Sequence, residues 1–357
     1  ENAHRALADA RATALLYWQL WESAVGLPVP ILREISSAGR HVTALTATDA
    51  DKSGSHGNGW DLQRFFDQAL AQASAAGPDN ADADTDLKRF FNFSTPAADA
   101  APALQANPTP QPLDAEDIAA PFADGGALST LYAGTQSTQQ TAIARAVGRV
   151  FNDQQHLLLE VGTGAYRTTA YLLPAMRWAL QNGQPVVIST DSQALRDQLL
   201  HEDIPRLSDA LNLGVRAAQV RGRRDYLCPP RLLAMQRRRP ANFEELRTYA
   251  KILVWLQSKP SGNRDEISLR AGEHHVWTRL SAADEGCTHE RCETAMAGNC
   301  PFHMARKQAE AAHLLVTQHH LLIQDAIDRD QVLPSYERVI IDDAHRLEDA
   351  VTSVVGV

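Results

Sequence analysis

The sequence predicts an α/β fold, a parallel sheet with helices on both faces, and three observations predict it. Short apolar runs recur at His156–Val161, Pro185–Ser189, Leu314–Thr317 and Val339–Ile341. Each is strand-length rather than helix-length. Segments of helical period separate them, which calls for crossover connections rather than hairpins. A glycine-bearing turn, Gly162–Gly164, joins the first run to a helix. The 357 residues suggest about two folded units. An apolar fraction of 44% is ample for a core, and 22% charged residues is ordinary for a water-soluble chain. Nothing approaches the roughly 20 uninterrupted apolar residues of a membrane span, so no membrane partner is expected. Glu1-Asn2-Ala3-His4-Arg5 carries no apolar leader, and a cytoplasmic location is the expectation.

The elements follow in order. Residues 4 to about 26 have helical spacing, with Leu7, Ala10, Ala14, Trp18 and Trp21 on one face, and Leu27-Pro28-Val29-Pro30 stops the helix. A second helix runs from about Trp60 to Ala73. From Gly77 to Pro121 the chain is rich in Ala, Asp and Pro, too poor in apolar surface to offset its ordering entropy. Residues 77–115 therefore read as an extended, disordered linker, and the expected divisions are 1–40, a linker over 41–115, and a body over 116–357. In the body a helix spans Gln139–Phe151, the run 156–161 forms the first strand, and a helix continues through Trp178. The strands at 185–189, 314–317 and 339–341 complete the sheet, with an irregular insertion over about 222–305 carrying the cysteines.

Two strand ends carry chemistry. Gly162-Thr163-Gly164-Ala165-Tyr166-Arg167-Thr168 links a strand to a helix, where backbone N–H groups and a helix N-terminus cradle phosphates. The pattern is departed from: Tyr166 stands at the second glycine position and Arg167 at the lysine position, while Thr168 keeps a hydroxyl for Mg²⁺. A glycine turn of this kind serves packing alone in many proteins. About 180 residues later, Asp342-Asp343-Ala344-His345 ends a second apolar run. An aspartate there holds Mg²⁺ beside a nucleotide, and a neighbouring carboxylate orients water. The pair favours a nucleotide site over two unrelated turns.

The four cysteines fall in the insertion: Cys228 alone, then Cys287, Cys292 and Cys300 with four and seven residues between them. Four sulfurs suit a structural Zn²⁺ or an iron–sulfur cluster, and the four-residue step, long for a zinc ribbon, favours the cluster. Arg216, Arg221, Arg223, Arg224, Arg231, Arg237, Arg238 and Arg239 form a basic track in a chain of net charge −9. Such a track either contacts nucleic-acid phosphates with salt-sensitive affinity or is a solvated face. Tyr226 and Trp277 suit either base stacking or core packing.

From about Asp114 onward these residues resemble the first motor lobe of the DinG/XPD iron–sulfur DNA helicases of superfamily 2. Gln140 matches that family's adenine-reading glutamine, and Glu160–Thr168 with Ala170–Pro174 matches its phosphate loop and helix. Val187–Thr190 with Leu195 and Gln198-Leu199 matches its next motif, and Asp342–His345 takes the place of its Asp-Glu-Ala-His box. The resemblance implies a RecA-like P-loop fold that binds ATP through Gln140 and Gly162–Thr168. It places Mg²⁺ on Thr168 and Asp342, water on Asp343, and nucleotide-to-DNA coupling on His345. It assigns a 4Fe–4S cluster to Cys228, Cys287, Cys292 and Cys300, since Arg223–Pro229, Gly286-Cys287 and Cys300–Phe302 match the ligand segments. It implies single-stranded or forked DNA as partner, through Ser189, Thr190, Arg221, Arg223 and Arg224. The implied activity is 5′ to 3′ unwinding coupled to ATP hydrolysis in DNA repair.

Departures are Tyr166, Arg167, Asp343 in place of glutamate, Ser137 in place of arginine, and Gln318-His319-His320 in place of Asn-His-Ala. Because ~1 Å of misplacement can cost ~100-fold in rate, Tyr166, Arg167 and Asp343 favour the alternative, a non-hydrolysing iron–sulfur DNA-binding module with a decayed motor, while the otherwise well-kept framework favours the motor. His4 and Asp9 resemble the last motif of the DEDDh 3′–5′ exonucleases that some DinG proteins carry, here without that family's earlier acidic residues. The family's second motor lobe is likewise not in this sequence and is expected in an intact parent chain.

Overall fold

The computed structural model describes residues 2–53, 62–75, 86–94, 101–128, 138–162, 167–283, 288–296, 298–327 and 332–356. The chain divides into two compact units, Glu1–Ser94 with Arg223–Phe302, and Thr95–Gly222 with His303–Val357.

The second unit holds the sheet. Its strands are β1 (Val186–Ser189), β2 (Ala217–Gln219), β3 (Leu314–Thr317) and β4 (Arg338–Ile341). All pairings are parallel, in the order β2-β3-β1-β4. Val186 sits opposite Leu314 on one side and Arg338 on the other, and Ser189 opposite Thr317 and Ile341. Alternate residues of each strand feed two cores, as the two-residue period requires. Val186, Ile188, Leu314 and Val316 join Leu172, Leu173, Met176 and Trp178 of the helix Arg167–Asn182 and Ile143, Val147 and Phe151 of the helix Thr138–Asp153. Val187 and Leu315 pack instead with Val220, Leu321, Leu322 and Leu333. This is the predicted α/β architecture, with helices on both faces.

One predicted strand is not formed. Residues 155–162 are irregular, and Leu158 is 89% exposed. β4 ends the sheet order, and β1 is its one ladder neighbour, so the run 156–161 has no paired strand among the described residues. Apolar content alone does not make a strand: the run is not laddered although the outer edge of β4 has no partner among the described residues.

The segment 101–114 is extended, as its composition predicts, but it is fastened down. Asn182 accepts from the Gln111 N–H (2.6 Å) and donates to the Gln111 carbonyl (3.1 Å). Asn152 makes the same pair of bonds with Leu113 (2.8 and 2.9 Å). Each carboxamide offers one donor and one acceptor, the pattern of a neighbouring strand. Residues 54–61, 76–85 and 95–100 of the expected linker lie outside the described residues.

In the first unit the helix Asn2–Val25 is followed by Val29–Ser53, broken at Pro28 as expected, and Gln63–Ala75 packs on both. Trp21 and Val25 meet Phe65 and Phe66, but Trp18 is 58% exposed, so only part of the expected apolar face is covered. The helix Phe243–Trp255 packs against Val29–Ser53, where the buried Glu34 accepts from the Tyr249 hydroxyl (2.9 Å). No helix among the described residues is long and apolar enough to cross a membrane.

Glu245 anchors this unit. Its carboxylate takes Arg238 (2.8 Å), Arg279 (2.7 Å) and the Ala241 N–H (3.0 Å). Burial raises its pKa, but the two guanidinium groups and the N–H outweigh burial and hold it below the usual glutamate value. A depressed folded-state pKa means stability that is full above the unfolded value and lost as pH falls through the folded one. Glu245→Gln is therefore expected to destabilise the unit by about 1–3 kcal/mol at pH 7. In urea melts the gap to the parent should close below about pH 4. A gap independent of pH would show that the charge on Glu245 contributes nothing.

Candidate nucleotide and metal sites

At the carboxyl end of the sheet, the Asp342 N–H donates to the Ser189 carbonyl (2.9 Å), extending the β1–β4 ladder one residue past Ile341. Asp343 then turns the chain in the left-handed region (φ 56°), which aspartate tolerates better than most residues. Both carboxylates thus stand at the strand tip. They meet the first turn of the helix Arg167–Asn182. Arg167 Nη2 donates to Asp343 Oδ1 (3.0 Å) and lies 3.3 Å from Asp342 Oδ1. The Tyr171 hydroxyl donates to Asp342 Oδ2 (2.9 Å), and the Asp343 N–H to Asp342 Oδ1 (2.9 Å). Burial first, then the Asp342 charge beside it, pushes the Tyr171 pKa well above its ordinary value, so the phenol stays a donor.

Arg167 and Tyr171 are four residues apart and share a helix face. That spacing was the available signal for Tyr171, which the motif reading passed over. Thr168 lies in the same helical turn, and its hydroxyl bears on Tyr171. Gln140 is buried in the first turn of the helix Thr138–Asp153, and His345 is exposed in the turn Ala344–Arg346. An ideal Cβ on Gly162 would meet nothing within 4 Å. Thr163, Gly164, Ala165 and Tyr166 lie outside the described residues. The oxygen set of Asp342, Asp343 and Thr168 is chemically suited to a hard cation such as Mg²⁺.

Ser189 and Thr190 are fully buried. Ser189 Oγ is 2.7 Å from His319 Nδ1, and the Thr190 carbonyl accepts from Arg196 (3.0 Å). Much of the basic track is engaged within the chain. Arg216 donates to the Ala311 carbonyl (2.7 Å), Arg221 is buried, and Arg223 lies over the Phe302 ring at 5.1 Å. Arg231 donates to the Arg279 carbonyl (3.1 Å), Arg238 pairs with Glu245, and Arg239 with Glu34 (3.5 Å). Arg224 and Arg237 are exposed. Tyr226 and Trp277 are core residues, not stacking platforms. Tyr226 packs on Phe302, and Trp277 Nε1 donates to the Arg224 carbonyl (2.9 Å).

The cysteine segments are held by backbone pairing. Leu227 N–H donates to the Gly262 carbonyl (2.9 Å) and Cys228 N–H to the Leu280 carbonyl (2.8 Å), leaving Cys228 at the start of the helix Pro229–Arg238. That helix packs against His289–Met296, which carries Cys292. Cys300 follows the left-handed Gly298 (φ 84°) and precedes the helix Pro301–Glu310. Cys228, Cys292 and Cys300 are buried, and ligand atoms of Cys292, Cys300 and His303 all lie within 4.8 Å of one another. Cys287 lies outside the described residues. Converging soft thiolates fit an iron–sulfur centre, and the nearby imidazole of His303 also suits Zn²⁺. Motif matching overlooked His303; its position three residues after Cys300 was the legible clue. His4 and Asp9 lie on the helix Asn2–Val25, with Asp9 exposed.

Comparison with known proteins agrees with this geometry. The DEAD_2 family model matches residues 286–357. The 3′-5′ exonuclease DinG of Bacillus subtilis is 27% identical over 100% of this chain and 35% of its own length. The ATP-dependent helicase DinG of Mycobacterium tuberculosis is 33% identical over 62% of this chain and 36% of its own. The ATP-dependent DNA helicase YoaA of Haemophilus influenzae is 31% identical over 67% of this chain and 37% of its own. The chain spans little more than a third of the length of these relatives. With a parallel α/β sheet whose acidic strand tip meets the loop-bearing helix, the chain belongs to the DinG-type helicase family.

Proposed function

We propose that this chain supplies the first nucleotide-binding lobe and the metal-bearing insertion of an ATP-dependent DNA helicase, working 5′ to 3′ on single-stranded or forked DNA in cytoplasmic DNA repair. The observation that carries the proposal is the convergence of Arg167 with Asp342 and Asp343. One arginine and two carboxylates meet at one strand tip; Arg167 would bind phosphate, Asp342 would hold metal and Asp343 would orient water. Gln140 would read the base, and Gly162–Thr168 would cradle the phosphates. Tyr171 holds Asp342 in place through its hydroxyl. His345 would couple this site to the DNA segment; of the expected set Ser189, Thr190 and Arg221 are buried, so Arg224, which is exposed, and Arg223, which is partly exposed, would make the contact. Mg²⁺, when bound, neutralises charge on the transferring phosphate. Cys228, Cys287, Cys292 and Cys300 would hold a 4Fe–4S cluster, which supplies a rigid thiolate-anchored node in the insertion. Metal analysis and the colour of anaerobically purified protein separate that cluster from zinc.

A second reading, a non-hydrolysing DNA-binding module, is favoured by the same contact: Arg167 is committed to the carboxylates that hydrolysis needs. Calorimetry with ATP and Mg²⁺ on this chain and on a Tyr166→Gly/Arg167→Lys variant decides between them. Affinities within about tenfold of each other, 1.4 kcal/mol, are expected for a working phosphate loop. Binding by the variant alone would replace the helicase reading with the module.

A further inference from the structure

The acidic strand tip is neutralised by a side chain of the chain itself. Asp342 is buried, and among the described residues its donors are Arg167 Nη2 and the Asp343 N–H on Oδ1 and the Tyr171 hydroxyl on Oδ2. Asp343 shares the same Arg167 nitrogen. A guanidinium nitrogen in contact with the inner oxygens of both carboxylates takes the position from which a divalent cation would have to draw its charge. Mg²⁺ and Mn²⁺ need carboxylate lone pairs free and a near-octahedral approach, and a fixed positive charge in contact with those oxygens opposes both.

The residue type matters. A lysine ammonium is a strongly hydrated point charge on a flexible stem, whereas the arginine fork is planar, weakly hydrated and permanently charged. It matches phosphate oxygens as well as carboxylates. Arg167 keeps 39% of its side chain in solvent, which screens the pair and leaves room for the fork to leave. It stands in the first turn of the helix Arg167–Asn182, the helix end that attracts anions.

From these contacts we infer that Arg167 is an internal counter-cation that keeps divalent metal off Asp342 and Asp343 until a polyphosphate draws the guanidinium away. This rests on the reading of Gly162–Thr168 as a phosphate loop. Metal then enters after nucleotide, and the phosphate-free lobe is closed to it.

The test is Mn²⁺ binding followed by electron paramagnetic resonance on the full chain, first without nucleotide. The parent is expected to bind no Mn²⁺ at this site. Arg167→Gln is expected to gain one ion at least about tenfold tighter than any the parent binds, and Arg167→Gln/Asp342→Asn to lose it again. Thermal melts of each variant establish that it folds. Tripolyphosphate added to the parent is expected to bring in one Mn²⁺ beyond that bound by the polyphosphate alone. Tight one-to-one Mn²⁺ binding by the phosphate-free parent overturns the inference whatever the variants do, and so does an Arg167→Gln chain that gains nothing. The nucleotide-free arms decide the inference separately from the proposed function, which falls instead if ATP binds neither the parent nor the Tyr166→Gly/Arg167→Lys variant.

Discussion

Replacing Arg338 with alanine is expected to lower the melting temperature of the sheet unit by about 6–12 °C, from a loss of about 3 kcal/mol at 2–4 °C per kcal/mol. Arg338 opens β4, is only 9% exposed, and uses its guanidinium in three ways. Nε (3.1 Å) and Nη2 (2.8 Å) both donate to the Phe151 carbonyl. The guanidinium carbon lies 4.5 Å from the centre of the Trp178 ring, and Nη1 reaches the Glu337 carboxylate at 3.4 Å. Phe151 is in the last turn of the helix Thr138–Asp153, where carbonyls have no intrahelical partner. Alanine would leave that carbonyl unpaired and open a void beside Trp178. Those two penalties, more than the lost attraction, set the size of the effect. Arg338→Lys keeps the charge without the paired donors and should recover less than half the loss. An unchanged melt for Arg338→Ala would mean that water replaces the guanidinium without cost, and the anchoring role would be abandoned. The contact also bears on chemistry, since Arg338 fixes the start of the strand that delivers Asp342 four residues later.

Gly262→Ala is expected to weaken metal retention in the insertion by about tenfold or more, the usual scale for disturbing the support of a ligand set. Gly262 has φ +85°, and a Cβ there would stand 2.4 Å from Pro301 Cβ and 2.5 Å from its Cγ. Neither is a flexible chain end, and Pro301 adjoins Cys300. The Gly262 carbonyl meanwhile accepts from Leu227, the neighbour of Cys228. A methyl group at this one position therefore pushes on two ligand segments. Gly214 provides the comparison: it also has positive φ (+61°), but its added Cβ would meet nothing within 4 Å. Gly214→Ala should cost only the left-handed backbone, about 1–2 kcal/mol, with metal content unchanged. Iron, sulfide and zinc analysis after a chelator challenge reads the difference. Equal retention in the two variants would show that Pro301 gives way and that the close approach is not what positions Cys300.

The α/β class and much of the candidate nucleotide site were legible in the chain because they are local. A four-residue apolar run between helical segments has few places to go but a parallel sheet, and β1, β3 and β4 lie where their runs are. The acids after Ile341 are a strand-end feature, and a parallel sheet brings strand ends of the same sense to one edge; Arg167 reaches them from the first turn of its helix, with no strand before it among the described residues. The run 156–161 misled because apolar content does not by itself specify pairing: the outer edge of β4 has no partner among the described residues, yet the run is not laddered to it, and pairing is a property of the sheet, not of the run. The segment 101–114 misled in the opposite direction. Its composition does not build a core, yet Asn152 and Asn182, distant in sequence, satisfy its backbone.

The basic track illustrates the limit best. The sequence establishes that eight arginines lie between 216 and 239. Which of them face solvent depends on Glu34, Glu245, Phe302 and the Ala311 carbonyl, partners that chain folding brings from far away. By itself, then, the sequence determined the residue chemistry at each strand end and in each cysteine segment, since period and spacing act over a few residues. Only the tertiary structure decided which charges meet. The Arg167–Asp342–Asp343 contact joins groups some 175 residues apart. Electrostatic pairing depends on distance and burial in space, and neither is written in the order of the residues.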